Sequence, residues 1–316
     1  MERLILEKGC CAIVPCVATI GMFDGVHRGH RFVLRHVCDY AKAHGLSTTV
    51  ITFDRHPREV VHTDWQPQLL TTFEERMGLL EETGIDRCVI LPFNKEMAAL
   101  SAREFMSLMV NRLGVKVLMT GYDNRFGHNR NDTFEDYVRY GEEIGVKVRQ
   151  LPSANCQLSF GSSHLSEVSS SVIRRFLEEG DVRKAAEALT YPYRITGKVV
   201  SGEHIGTTLG FPTANLQPID SRKLIPAPGV YAVRCVMDEG RGKILRGMMN
   251  IGTRPTFGEH EQTMEVYILG YEGDLYGQTI TVEFLERLRD ERRFDSKEEL
   301  KVQLEEDRRR VESLKL

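Results

Sequence analysis

The decapeptide "GMFDGVHRGH" (residues 21–30) follows the apolar run "CAIVPCVATI" (11–20). It precedes a helical pattern with Val33, Leu34, Val37, Cys38 and Ala41 on one face and Gly45 at a C-cap position. A glycine-rich bend between a strand and a helix is where doubly wound α/β sheets bind ligands. Gly21, Gly25 and Gly29 let backbone approach a phosphate, and the helix N-terminus behind them favours negative charge. His27 and His30, three apart at the helix start, project to one side and can donate hydrogen bonds to phosphate oxygens. A zinc site would want a third ligand and a carboxylate on the same helix, as in HExxH, which is absent. Taken alone, the motif fits equally well two exposed histidines beside a tight turn.

Working outward, apolar runs at Val17–Ile20, Ser47–Phe53, Cys88–Phe93, Val115–Thr120 and Val146–Leu151 alternate with amphipathic helical patterns. Thr72 with Glu75, and Ser101 with Glu104, mark helix starts as capping boxes. This alternation predicts a parallel sheet with helices on both faces. After "LTYPYRI" (189–195) the rhythm changes. Strand runs Arg194–Val200, Val230–Met237, Ile244–Ile251, Met264–Leu269 and Thr279–Leu285 come one after another with turns between, which predicts an antiparallel barrel or sandwich. A last helix starts at a capping box, Ser296 with Glu299, and carries Leu300, Leu304, Val311 and Leu314. The boundary falls near 186–192, giving domains 1–186 and 190–316.

Composition narrows the function classes. A chain of 316 residues holds two domains of ordinary size, and 41% hydrophobic with 28% charged residues describes a globular protein. A net charge of -3 leaves no basic footprint for nucleic acid. No run is long enough for a transmembrane helix, and "MERLILEKGC" has no signal-peptide pattern. The 7 cysteines are scattered without a CxxC pair, so a reducing cytosol is the expected home.

Further blocks stand behind the opening motif. "TFDRHP" (52–57) follows the second strand run, "GYDNRFG" (121–127) the fourth, and "SSSVIRRFLEEGD" (169–181) opens a helix. In that helix Ser169 to Ser171 supply caps and Val172, Ile173, Phe176 and Leu177 form the apolar stripe. Arg174 in its first turn opposes the helix dipole, which a phosphate partner would offset; an ordinary solvent arginine is the alternative. The second half holds "GKVVSGEHIGTTLGFPTANL" (197–216), in which Thr213 and Asn215 share one side of an extended segment and suit one hard cation. "GVYAV" (229–233), "NIGTRPTFG" (250–258), "MEVYILGYEGDLYG" (264–277) and "LRDERRF" (288–294) come next, in that order.

The first set of blocks resembles the HxGH nucleotidyltransferase superfamily in its flavin branch, and the second resembles the riboflavin kinase domain, a small Greek-key barrel. As a whole the chain resembles the bacterial bifunctional riboflavin kinase/FAD synthetases. That resemblance implies an N-terminal Rossmann-like nucleotidyltransferase domain and a C-terminal antiparallel Greek-key β-barrel with a terminal helix. It implies ATP-dependent phosphorylation of riboflavin to FMN in the barrel, then adenylylation of FMN to FAD with release of pyrophosphate in the α/β domain. By the same resemblance His27 and His30 contact ATP phosphates, Gly21, Phe23 and Gly25 shape the nucleotide pocket, and Asp123, Ser170 and Arg174 match further nucleotide contacts. In the barrel Gly206, Gly210 and Thr213 match the ATP site, Thr213 and Asn215 the Mg2+ site, Glu265 the catalytic glutamate, and Arg289 an arginine near the flavin. Glu265 as an outward-facing strand residue is the plainer alternative.

The implied partners are riboflavin, FMN and ATP, without nucleic acid or membrane and with at most weak or transient self-association, in the cytoplasm. A single active domain, or a non-catalytic flavin-binding regulator, are the rival readings; intact phosphate-handling blocks in both halves speak against the regulator. Departures from the family pattern are Thr207 in place of a basic residue, Arg31 in place of Gln, Arg55 in place of Pro, and the segment from Asn124 onward.

Overall fold

A computed structural model of the chain describes residues 1–6, 14–61, 68–121, 125–128, 131–151, 158–160, 163–165, 168–201, 210–237, 244–255 and 260–314. The chain divides into two compact units, Met1–Ser169 and Ser170–Leu316.

In the first unit, strands β1 (Glu2–Ile5), β2 (Cys16–Ile20), β3 (Ser47–Phe53), β4 (Arg87–Leu91), β5 (Val115–Thr120) and β6 (Lys147–Gln150) pair in parallel in the order β1-β4-β3-β2-β5-β6. β2 and β4 are buried from end to end, which is why they read as continuous apolar runs. The connecting helices include α1 (Arg28–His44), α2 (Pro57–Val61), α3 (Phe73–Glu81), α4 (Lys95–Ala99), α5 (Ala102–Leu113) and α6 (Phe134–Ile144). Cys16, Ala18 and Ile20 pack in one core with Phe105, Met109 and Tyr137 of α5 and α6. On the other face the Cys88 Sγ lies 3.8 Å from Met77 Sδ of α3. The capping boxes expected at Thr72 and Ser101 close, and Gly45 takes the left-handed conformation as the C-cap of α1. At Ser296 only half forms: Ser296 Oγ accepts the Glu299 N–H, but the Glu299 carboxylate accepts from Asp295 N–H instead.

The sequence reading missed the edge strand β1 and an antiparallel pair, β7 (Leu158–Phe160) with β8 (Ser163–Leu165). β1 is short and largely exposed, so its pattern carries no apolar run. The order of the sheet reverses between β2 and β5: the chain leaves β2 toward β3 on one side and returns to β5 on the other. The loop after β2, residues 21–27, therefore opens at the switch point of the sheet, the position where such folds bind ligands.

The second unit begins with α7 (Ser170–Glu178) and α8 (Val182–Leu189), which precede the boundary read from the sequence. These helices belong with the second unit because they pack on it: Ala227 N–H donates to Leu177 O at 2.9 Å. Strands β9 (Arg194–Val200), β10 (Thr213–Pro218), β11 (Gly229–Met237), β12 (Ile244–Pro255), β13 (His260–Ile268) and β14 (Thr279–Arg289) close into a barrel in the order β10-β13-β12-β11-β14-β9. The pairings are antiparallel, and β14-β11-β12-β13 is a Greek key. Pairing of β9 with both β10 and β14 makes the unit a barrel rather than a sandwich.

Tyr231, Val233, Met249, Val282 and Phe284 are fully buried, with Tyr231 edge-on to Phe284. The last helix, α9 (Lys297–Ser313), covers part of the outer surface: Val311, Leu304 and Leu314 join Phe211, Val230, Ala232, Met248 and Leu288 in a second core. Leu300 is half-buried and stands apart from that core.

Candidate active sites

The bend of residues 21–27 is held by its neighbours in a conformation that most side chains resist. Phe23, Gly25 and Val26 all have positive φ, at 52, 83 and 35°. For a β-branched residue such as Val26 this is strained backbone, which persists only where surroundings over-determine it. Asp24 supplies the restraint. Its Oδ1 accepts from Thr71 N–H and Thr71 Oγ1–H, both at 2.9 Å, and its Oδ2 from Leu70 N–H at 3.1 Å. Thr71 Oγ1 in turn accepts from Gly25 N–H at 3.0 Å. An Asp24→Ala variant leaves these buried donors without an acceptor, so it should cost about 3 kcal/mol of stability in urea unfolding. A variant as stable as the parent would remove Asp24 from this role.

His27 ends the bend as the N-cap of α1. Its Nδ1 accepts the His30 N–H at 3.4 Å, so in neutral His27 the other ring nitrogen carries the proton. The two imidazoles stack with centroids 3.7 Å apart and planes at 20°, and Phe23 meets the His30 ring edge-on at 5.2 Å. The pair is therefore not a pair of exposed surface histidines: His27 is buried and His30 half-buried. Burial pushes the His30 imidazole down to about 3, so it is neutral at physiological pH. Its Nδ1 is enclosed without a hydrogen-bond partner among the described residues. A buried lone pair is better tolerated there than a buried N–H, which favours the tautomer with the proton on Nε2.

Gly21 stands beside Phe23, and a side chain at Gly21 would meet that ring at 3.3 Å. The Val168 carbonyl lies 3.3 Å from where a Gly29 Cβ would be, so the chain passes the start of α1 just before the serine block. Ser170 and Arg174 occupy the first turns of α7. Asp123 lies outside the described residues, as do Gly206 and Thr207. Within "TFDRHP", Asp54 Oδ1 accepts from Phe93 N–H at 2.8 Å and ties the ends of β3 and β4 together. Within "GYDNRFG", Phe126 stacks on Tyr137 at 4.3 Å, which makes it a core residue.

The barrel brings together residues far apart in sequence. Register pairs place Asn215 beside Glu265 and Glu265 beside Asn250, so one row runs β10-β13-β12 across the sheet. The row continues through Val230, the partner of both Asn250 and Arg289. Val230 and its neighbour Met248 belong to the core under α9, so this row lies on the outside of the barrel. Thr213 Oγ1 donates to Glu265 Oε2 at 3.3 Å. Glu265 is half-buried and facing a polar neighbour, which is more than an outward strand residue needs.

A cavity of about 200 Å³ opens beside this row, lined by Val200, Pro212, Thr213, Asn215, Tyr271 and Tyr276. Gly210 precedes it, with φ 82°. The hydroxyl and amide oxygens at Thr213 and Asn215 are hard donors that suit Mg2+, with the Glu265 carboxylate beside them. Arg289 is held at the end of β14: its Nε donates to the buried Asp307 of α9 at 2.9 Å, and it lies over the Phe294 ring at 5.6 Å. Sequence reasoning assigned no role to Asp24, Asn250 or Asp307. Asn250 becomes visible only through the register of β12 with β13, and the other two only through contacts distant in sequence.

A FAD synthetase family model matches residues 12–165, and a riboflavin kinase family model matches residues 189–315. The bifunctional riboflavin kinase/FMN adenylyltransferase of Escherichia coli (strain K12) is 39% identical over 92% of this chain and 90% of its own length. The Bacillus subtilis (strain 168) protein of the same description is 33% identical over 92% of this chain and 90% of its own. Among solved structures, a Streptococcus pneumoniae chain described as a macrolide-efflux protein is 29% identical, with a TM-score of 0.88 over 100% of both chains. That description belongs to the neighbour; among the described residues here, no helix is long and apolar enough to cross a membrane.

Proposed function

Because the chain belongs to the bifunctional riboflavin kinase/FMN adenylyltransferase family, we propose that it makes FAD from riboflavin in two steps on separate sites. It phosphorylates riboflavin to FMN in the barrel and adenylylates FMN in the α/β unit, releasing pyrophosphate. The functional domains we assign are 1–186 and 190–316. The observation that carries the division of labour is the pairing of two polar constellations, the His27–His30 stack at the sheet's switch point and the Thr213–Glu265–Asn215 group on the barrel.

In the barrel, Glu265 accepts the proton of the ribityl 5′-hydroxyl as that oxygen attacks the γ-phosphorus of ATP, and ADP leaves. ATP occupies the cavity beside β10, with Gly210 on its approach and Thr213 at the phosphates, and Gly206 belongs to the same nucleotide site by resemblance alone. Mg2+, when held by Thr213 and Asn215, neutralises charge that builds on the phosphate oxygens. The protein's own share is to align the hydroxyl and keep Glu265 aimed through Thr213. Arg289 stands on the flavin side, its guanidinium kept in place by Asp307.

In the α/β unit, a phosphate oxygen of FMN attacks the α-phosphorus of a second ATP and pyrophosphate departs. The phosphate is already an adequate nucleophile, so no covalent intermediate forms and positioning carries the rate. The imidazole N–H groups of His27 and His30 stabilise charge on the transferring phosphate, while Gly21, Phe23 and Gly25 shape the pocket. By family resemblance alone, Asp123, Ser170 and Arg174 are further nucleotide contacts. The reactions need only small molecules, riboflavin, FMN and ATP; neither nucleic acid nor a membrane takes part, and self-association is weak or transient. The free thiols of Cys16, Cys38, Cys88 and Cys235 support a cytoplasmic setting.

The test is a product time course by chromatography. Protein with riboflavin, ATP and Mg2+ should release FMN first and FAD after it, and an excess of EDTA should stop both. Formation of neither product sinks the reading, and FMN without FAD confines activity to the barrel.

A further inference from the structure

The bend of residues 21–27 is tied down at its start as well as at Asp24. Gly21 N–H donates to Ile51 O at 3.1 Å and Thr52 Oγ1 donates to Met22 O at 3.3 Å, which lays the start of the bend along the end of β3. Met22 is also gripped from α3. Arg76 Nη1 donates to Met22 Sδ at 3.3 Å, and Arg76 Nη2 donates to the carbonyl of Phe53, the last residue of β3, at 2.7 Å. The guanidinium lies 5.5 Å over the ring of Phe73, at the start of the same helix. One planar group thus bridges the bend and the strand end.

Arg76 is only 2% exposed, as deeply buried as Met77, Leu79 and Leu80 beside it. Desolvating a guanidinium is costly, and an apolar residue of similar volume would serve packing at least as well. What arginine adds is a fork with donors in fixed directions, which neither an apolar side chain nor a lysine provides. The two groups it holds lie at the carboxyl ends of β2 and β3, where the switch point of the sheet opens. The segment leading into α3 takes the bend further along, where the Leu70 and Thr71 N–H groups donate to Asp24. The start of α3 therefore holds the bend at residues 22 and 24, on either side of Phe23 with its positive φ.

We propose that Arg76 is a positioning residue for adenylyl transfer: its guanidinium fork locks Met22 to the end of β3 and so keeps residues 23–27 in the shape that presents His27 and His30 to the phosphates. This rests on the reading of the bend as the phosphate site. Arg76, being buried, acts through the bend and not on the substrate.

The experiment pairs Arg76→Met, which fills the space without the fork, with Arg76→Lys, which keeps the charge without the fork. The Gly25 N–H donates to Thr71 Oγ1 and the Val26 N–H to Phe23 O, so their hydrogen exchange reports opening of the bend. In the full chain, both variants should exchange these two amides about tenfold faster than the parent, as loss of one hydrogen bond does, with β4 and β5 unchanged. The kcat for FAD formation from supplied FMN should fall about 10²-fold, as misplacement by about an ångström does, while riboflavin phosphorylation keeps the parent rate. Parent-rate exchange in the bend, acceleration spread equally over β4 and β5, or full adenylylation by Arg76→Lys overturns the proposal. A parent that makes no FAD would strike the phosphate reading of the bend, whereas undiminished FAD formation by variants with a loosened bend would strike Arg76 alone.

Discussion

Replacing Glu265 with glutamine should lower riboflavin phosphorylation by about 10³-fold while leaving adenylylation of supplied FMN at the parent rate. The substitution keeps size, shape and an acceptor for the Thr213 hydroxyl, which donates to Glu265 Oε2 at 3.3 Å. It removes the basicity that takes the proton from the attacking hydroxyl, so kcat should fall with little change in the KM for ATP. FAD should still form from added FMN and ATP, because residues 21–30 belong to a different compact unit. Rates are measured by chromatography of both products from the same enzyme preparation. Undiminished FMN formation would remove Glu265 from the chemistry, and loss of both activities in folded protein would break the division of labour.

The physics of each element decides how much of it was legible in the sequence. The runs at 47–53 and 115–120 match β3 and β5 end for end, because β-branched residues such as Thr48, Thr49, Val50, Ile51, Val115 and Val117 fill both and favour extended backbone. Helix starts at Thr72 and Ser101 were legible for a different reason: a capping box is a local exchange of hydrogen bonds three residues apart. β12 and β13 reach further than expected, to Pro255 and from His260, since "GTRPTFG" looks like a turn while the hairpin still pairs there.

The opening motif showed its glycines but not its strain. Positive φ at Phe23 and Val26 is unreadable in residues that normally avoid it, and Asp24 gains meaning only from Leu70 and Thr71, more than forty residues away. Asp307 reads as one more charge on the solvated face of a helix, whereas the fold buries it against Arg289. In the barrel, Asn215 and Glu265 stand in separate sequence blocks; that they are register partners, with Asn250 on the far side, depends on strand order. Composition carries no information about that order.

Changing His27 and His30 together to alanine should have the mirror-image effect, lowering FAD formation from supplied FMN by about 10³-fold or more and sparing riboflavin phosphorylation. The rings stack at 3.7 Å, so each helps to fix the other, and the His27 ring is further held by the His30 backbone N–H that its Nδ1 accepts. Losses from the two single variants should therefore not add up to that of the double variant. The pair also gives the α/β unit a pH signature. Burial holds His30 near 3 in the fold, against about 6.5 when unfolded. Its folded value is the lower one, so the unfolded chain takes up the proton first as pH falls. Stability is at its full value above 6.5 and declines through the window from 6.5 toward 3. At pH 5 the contribution is a loss of about 2 kcal/mol, from 1.5 pH units below the unfolded value. Urea unfolding at pH 7.5 and pH 5.0 should show the parent losing more stability than His30→Asn by that amount. Equal losses in the two proteins would mean that His30 takes up its proton as readily in the fold as in the unfolded chain, and the neutral Nε2–H donor assigned to it would have to be abandoned.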